Sequence, residues 1–411
     1  MKILFVNHFP LTGSGSGVYT ANLAKSLAKL GHEVAIIFPE NRINYETFNG
    51  IKLYPVFFKN VDVIDGQLDF NFPCFTTHPR STFSFKEMTN EEKMIYEQAF
   101  YNKIEYVINE FNPDIIHAQH LWTLAGISSV LAQKYNIPLI VTCHGTDLIG
   151  IEDEIISNEY WGRNYAQKAC DYASSIVTIS IDNKHKAEKV LSGVDHKTKW
   201  IKNGIDTNIF YKDDKIKKKD VLQALNVEKT YDKIISFVGK LTEIKGVDTL
   251  LNAASIYEDD NTLTIIAGDG ECALELNELA SELNLKNVIF IGNQPQDVLR
   301  NIYNIANVSI VPSRKEAFGL VAAESIACGT PVIATSEGGL KEIVSEDVGI
   351  LFDKDDYKTL AQDILDILNN RKVFDSDAIS KKIKNNYSQD ILIKEFISVY
   401  HEAINNKTKV R

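Results

Sequence analysis

The chain has 411 residues, 44% of them hydrophobic and 24% charged, with 44 Lys+Arg against 55 Asp+Glu and a formal net charge of -11. That length accommodates two domains with cores of their own, and the acidic balance argues against non-specific nucleic-acid binding, which needs a basic face to displace counterions. The five cysteines are scattered, form no CxxC and sit in no Cys/His cluster of zinc-ligand spacing, so they read as buried thiols in a reducing compartment.

The start, "MKILFVNHFP", turns polar too quickly for a secretory leader, and no apolar run approaches a membrane span. The expectation is a cytoplasmic protein with at most peripheral membrane contact. "KILFVNHF" reads as a buried strand. In "GVYTANLAKSLAKLGHEV" the apolar positions Val18, Ala21, Ala24, Leu27 and Ala28 recur at helical spacing, and Gly31 suits a left-handed C-cap. "EVAIIFP" completes a strand–helix–strand unit. The alternation returns in "PDIIHAQ", "PLIVTCH" and "SSIVTIS", which gives a first α/β domain over 1–205. Residues 41–100 interrupt it with a Phe- and Tyr-rich stretch, read as an insertion on that domain or a lid.

Residues 206–231, with the run "KIKKK", are polar and charged and read as a solvated linker. A second alternating series, "DKIISFVGK", "TLTIIAGDG", "NVIFIGN", "VSIVPS", "TPVIAT" and "GILFD", defines a domain over 232–390. The tail, 391–411, has the pattern of an amphipathic helix. Two doubly wound, Rossmann-like α/β domains in series suggest a cleft between them, with ligands held by loops at the carboxyl ends of the strands.

Four such loops carry chemistry. "GSGSGVYT" follows the first strand and opens a helix, where free amides and the dipole suit a phosphate. It lacks the Lys-Ser/Thr of a P-loop and the later glycine of a dinucleotide fingerprint. "AGDGECA" matches the dinucleotide pattern only formally, since the acidic residue that should follow on the ribose is missing. "FVGKLTEIKG" sets Lys240 and Lys245 in one strand-to-helix turn, which suits a diphosphate or two solvated lysines. "EAFGLVAAE" places Glu316 and Glu324 around a segment with little side chain. They suit either a grip on a polyhydroxylated ligand or the solvated ends of a helix.

Taken together, "GSGSGVYT", "CHGTD", "NGID", "FVGKLTEIKG", "GDG" and "EAFGLVAAE…GTPVIA" resemble the retaining glycosyltransferases of family 4, with the GT-B fold (glycosyl transferases group 1), from Met1 to about residue 400 in the family's order. The resemblance implies a nucleoside-diphosphate sugar donor, with uridine as the family-level expectation. Glu316 would contact the sugar hydroxyls and Glu324 the ribose. The amides of Phe318, Gly319 and Leu320 would face sugar and phosphate, and Gly15 and Gly17 would cap the diphosphate. Lys245 falls on the family's lysine, whereas Lys240 stands where arginine is usual, without the bidentate fork. The active-site histidine falls on His144, and Asp147 of the same motif lies on the acceptor side. His117 and His120 either line the acceptor pocket or belong to the core. The tail helix is expected to pack back on the first domain.

The implied reaction is front-face transfer to an acceptor hydroxyl, with His144, Glu316 and Lys245 at the reacting centre. Neither metal nor cofactor is implied, since the sugar nucleotide is itself a substrate. The acceptor stays open between a sugar, a cyclitol, a lipid-linked glycan and a polymer. Competing readings are a nucleotide-sugar 2-epimerase of the same fold, a phosphorylase, and a non-catalytic nucleotide-sugar-binding subunit.

Overall fold

The computed structural model describes residues 1–59, 65–75, 78–121, 123–148 and 163–408. The parts of the 41–100 stretch at 60–64 and 76–77, and the last three residues of the tail, lie outside the described residues. The chain divides into two compact units, Met1–Lys202 with Leu392–Arg411, and Asn203–Ile391.

The first unit holds a seven-stranded parallel sheet built from β1 (Lys2–Val6), β2 (Glu33–Glu40), β3 (Ile51–Phe57), β4 (Ile115–Gln119), β5 (Leu139–Cys143), β6 (Ser175–Thr178) and β7 (Thr198–Trp200), in the order β3-β2-β1-β4-β5-β6-β7. Its strands are continuous apolar runs because helices cover both faces. Alternate residues of β1 feed different cores. Leu4 and Val6 join Ile37, Ile116 and Val141 on one face, while Ile3 and Phe5 join Ile36, Ile115 and Ile140 on the other. That second core is completed from the far end of the chain, by Ile393, Phe396, Val399, Tyr400 and Ala403 of the Gln389–Thr408 helix.

The second unit holds β8 (Lys233–Val238), β9 (Thr262–Ala267), β10 (Val288–Phe290), β11 (Val308–Val311), β12 (Val332–Thr335) and β13 (Gly349–Phe352), in the order β10-β9-β8-β11-β12-β13, again all parallel. Strand order reverses between β1 and β4 in one sheet and between β8 and β11 in the other. Such switch points open a crevice at the carboxyl edge of a sheet. Where the chain enters and leaves the second unit, its two segments are bridged. Ile205 and Ser388 pair in parallel, with the Ile205 N–H donating to Tyr387 O at 2.9 Å and the Gln389 N–H to Ile205 O at 3.0 Å.

Two boundaries differ from the sequence reading. The 41–100 stretch is no single insertion, because it contributes β3 to the main sheet and the first turns of the Asn90–Phe111 helix. That helix starts at a capping box, in which the Thr89 side chain accepts from the Glu92 N–H and Glu92 accepts from the Thr89 N–H. Nor is 206–231 a free linker. It contains the Lys218–Ala224 helix, whose Val221 and Leu222 pack with Tyr231, Ile234 and Ile265 in a core of the second unit.

Candidate active site

In the second unit the loops after β8, β9, β11 and β12 meet at the carboxyl edge. Lys245 ends a single 3-10 turn, Glu243–Lys245, and its Nζ lies 2.6 Å from Glu316 Oε2. The Ser313 hydroxyl donates to the same carboxylate oxygen at 3.2 Å. The Glu316 backbone is itself boxed in. A β-carbon on Gly338 would come within 1.7 Å of the Glu316 carbonyl oxygen, so the glycines after β12 press directly on this segment. Lys240 is partly exposed, with its Nζ 4.0 Å from Glu271 Oε2. The glycines of the β9 loop pack against the β8 loop backbone, where the Leu241 N–H donates to Asp269 O at 3.0 Å.

Three residues beyond Glu316, Gly319 takes a φ of 102° and starts the Leu320–Ala327 helix, which has no side-chain cap. Its first amides therefore carry the unpaired donors and positive dipole end that attract anions. The Phe318 side chain is buried, 6.0 Å from the Tyr387 ring, so only its backbone is available at the edge. Glu324, one turn into the helix, turns its carboxyl inward to within 3.4 Å of the buried Tyr303 hydroxyl. Burial pushes this carboxyl up to about 7, against the lowering effect of the Tyr303 contact.

In the first unit the glycine loop after β1 divides its labour. A β-carbon on Gly17 would meet the Pro10 carbonyl oxygen at 2.0 Å, whereas one on Gly15 would meet nothing within 4 Å. Ser14 caps the helix, accepting from the Gly17 N–H at 3.1 Å. Gly17 thus seats the loop, and Gly15 leaves open space at the helix end.

Beside this loop, imidazoles gather at the edge of β4 and β5. His144 Nε2 donates to Gln119 Oε1 at 2.8 Å, which leaves Nδ1 as the ring's acceptor. The ring lies edge-on to Tyr19 at 5.0 Å and is 4.7 Å from His120. Burial, with the neighbouring His8, drives His144 down to about 3, so it is neutral at ordinary pH. His120, held at a φ of 69°, packs among His8, Phe9 and Phe75. Asp147 is fully buried and accepts from the amides of Leu121, His144 and Leu148; burial raises it to about 6 despite those bonds. It acts as a brace for the β4 and β5 loops.

His117 belongs to the core. It has no exposed surface, and its two nitrogens meet the Tyr400 hydroxyl and the Thr142 hydroxyl, each at 2.7 Å. The acceptor-side alternative for His117 is therefore corrected: its ring faces the tail helix and has no free polar atom.

Arg314, Tyr303, Gln119 and His8 escaped the sequence reading. Arg314 sits inside "SRKEAFGL", two residues before Glu316. Its guanidinium reaches Asp248 through Nη1 at 3.0 Å and Nη2 at 2.6 Å, Asp355 through Nε at 2.7 Å, and the Glu243 carbonyl at 2.6 Å. Its proximity to the Glu pair was the one available signal.

Residues 219–387 match the profile of Glycosyl transferases group 1, and residues 13–209 that of Glycosyltransferase Family 4. An uncharacterized glycosyltransferase of Methanocaldococcus jannaschii is 29% identical, over 98% of this chain and 99% of its own. Sucrose-phosphate synthase from Thermosynechococcus elongatus has a similar structure, with a TM-score of 0.77 at 20% identity, over 99% of this chain and 100% of the other. Anabaena HepE in complex with UDP-glucose gives a TM-score of 0.72 at 19% identity, over 97% and 99%. Both structural likenesses describe the GT-B fold of two Rossmann-like domains. With both halves matched in order on that fold, the chain belongs to the group 1 glycosyltransferases.

Proposed function

We propose that the enzyme transfers a sugar from a nucleoside-diphosphate sugar, a UDP-sugar, to an acceptor hydroxyl with retention of anomeric configuration and without a metal. The observation that carries this reading is the Lys245–Glu316 pair at 2.6 Å beside the uncapped start of the Leu320–Ala327 helix. A cation, free amides and carboxylates within one edge match a ligand that is anionic in the middle and rich in hydroxyls at both ends. Glu316 accepts from sugar hydroxyls, Glu324 from the ribose, and the amides of Phe318, Gly319 and Leu320 meet the phosphates. The UDP-glucose held by HepE supports the choice of uridine.

In the reaction the acceptor oxygen attacks the anomeric carbon from the side of the leaving group. The anomeric C–O bond to the diphosphate breaks, the new C–O bond forms, and the acceptor proton passes to the departing phosphate oxygen. Lys240, Lys245 and the helix amides stabilise the charge on that oxygen; each well-placed donor contributes about 3 kcal/mol to such a step. His144, neutral at working pH, offers its Nδ1 as a hydrogen-bond acceptor rather than a proton.

Calorimetric titration with UDP, GDP and ADP, each with and without EDTA, tests this. UDP is expected to bind equally in both conditions and more weakly to Glu324→Ala. Absence of binding by all three nucleotides would remove the donor reading. Proton NMR of the anomeric signal in the product reads retention directly.

A further inference from the structure

We infer that Arg314 is the positioning residue of the donor site, which holds Lys245 in place for Glu316 and for the diphosphate. The inference rests on the donor reading for its functional consequence and on geometry for the rest.

Lys245 needs an outside support. Its 3-10 turn is three residues long, has no side-chain cap, and is closed by the Lys245 N–H to Thr242 O at 3.0 Å and the Gly246 N–H to Glu243 O at 3.2 Å. An isolated turn of this kind fixes more backbone freedom than its bonds return. Arg314 supplies the missing restraints on two carbonyls of the turn. Its backbone N–H donates to Ile244 O at 2.8 Å, and its Nη1 to Glu243 O at 2.6 Å. The same guanidinium forks onto Asp248, in the first turn of the Val247–Tyr257 helix, and ties Asp355 in the loop after β13. The turn before Gly246 and the helix after it are thus held by one planar group.

Two residues further on, the same loop delivers Glu316 to Lys245 at 2.6 Å. Both members of the ion pair therefore take their position from the Arg314 segment. A lysine in its place would keep the charge but lose the fork and, with it, simultaneous contact to Asp248, Asp355 and the Glu243 carbonyl. Arg314 itself touches no proposed ligand atom; it acts through Lys245.

The test uses the full-length enzyme with 15N-labelled lysine, alongside UDP titration. The Lys245 ammonium signal, assigned by its loss in Lys245→Arg, should be protected from exchange in the parent, lost in Arg314→Gln, and weakened in Arg314→Lys. UDP affinity should fall about tenfold in Arg314→Gln, in line with the loss of one charge-assisted contact. Lys245→Ala/Arg314→Gln should bind no worse than Lys245→Ala alone, because the two act through one group. A protected Lys245 signal in Arg314→Gln, or additive losses in the double variant, would overturn the inference. Should Arg314→Gln fail to fold, Arg314→Lys and Asp355→Asn carry the same comparison with fewer ties removed. Failure of every nucleotide to bind the parent would count against the donor reading, and the ammonium signal would still decide the positioning role.

Discussion

The Glu324 carboxyl, pushed up to about 7 by burial, changes charge within the range where such enzymes are assayed. Two consequences follow with definite sign. On the donor reading the carboxylate accepts from ribose hydroxyls, so nucleotide affinity should tighten as pH rises through about 7 and become flat in Glu324→Gln. For stability the direction is opposite. An acid raised above its unfolded value keeps its proton in the native state, so its contribution is full at low pH and is lost as pH rises from the ordinary carboxylate range through about 7. Melting curves should show Glu324→Gln gaining on the parent between about pH 5 and about pH 8. The three neighbouring histidines of the first unit work the other way. Being held neutral below their usual value, they stabilise the fold above that value and withdraw their support on acidification. At this scale the Glu pair and the two lysines were legible because they lie close together in the chain. Arg314 was silent because its partners lie 66 and 41 positions away.

Among elements, the glycine loop separates two effects that one motif conceals. Gly17→Ala drives a β-carbon against the Pro10 carbonyl, a backbone atom that cannot swing aside. It should lower stability by about 2–3 kcal/mol in urea denaturation, the size expected for an overpacked buried site. Gly15→Ala meets open space and should leave stability unchanged or raise it by up to about 1 kcal/mol, since alanine is the better helix former. A fall in nucleotide affinity in Gly15→Ala without a fall in stability would locate the ligand against that amide. The strands of both sheets were readable from their apolar runs, because a parallel strand covered on both faces has no polar alternation to confuse it. β3 and β7 were not. Both lie at sheet edges; β3 has mostly half-buried side chains and carries Pro55, while β7 is three residues long with only Thr198 buried, all of which weaken the strand signal. The Lys218–Ala224 helix was masked by its charges, since only Val221 and Leu222 mark its buried side.

For the molecule as a whole, the two units differ in what each needs from the chain. The apolar cores of the second unit draw on residues from Ile216 to Phe374, and the buried Ile379, Ile383 and Tyr387 of the Ser376–Tyr387 helix also lie inside that unit. Residues 203–391 should therefore fold when expressed alone, with a single cooperative urea transition. The first unit needs the far end of the chain. Ending the chain after Ile391 removes Phe396, Val399, Tyr400 and the other apolar residues that close one face of its sheet, and strips His117 of its Tyr400 partner. Each such side chain contributes about 1.5–3 kcal/mol by burial, and together they rival the whole stability of an ordinary domain, about 5–15 kcal/mol. The truncated protein should keep the transition of the second unit and lose that of the first. Among the described residues no helix is long and apolar enough to cross a membrane.

The bridge between Ile205 and Ser388 gives this arrangement a mechanical meaning. Both described ends of the chain are anchored in the first unit, Lys2–Val6 as a central strand and the Gln389–Thr408 helix against that strand's Ile3 and Phe5. Tension applied between the ends is borne first by that strand–helix contact. Until it gives way, the second unit, which is inserted in the chain between Lys202 and Leu392, carries no load, and a pulling experiment should record the rupture of the first unit before any extension of the second.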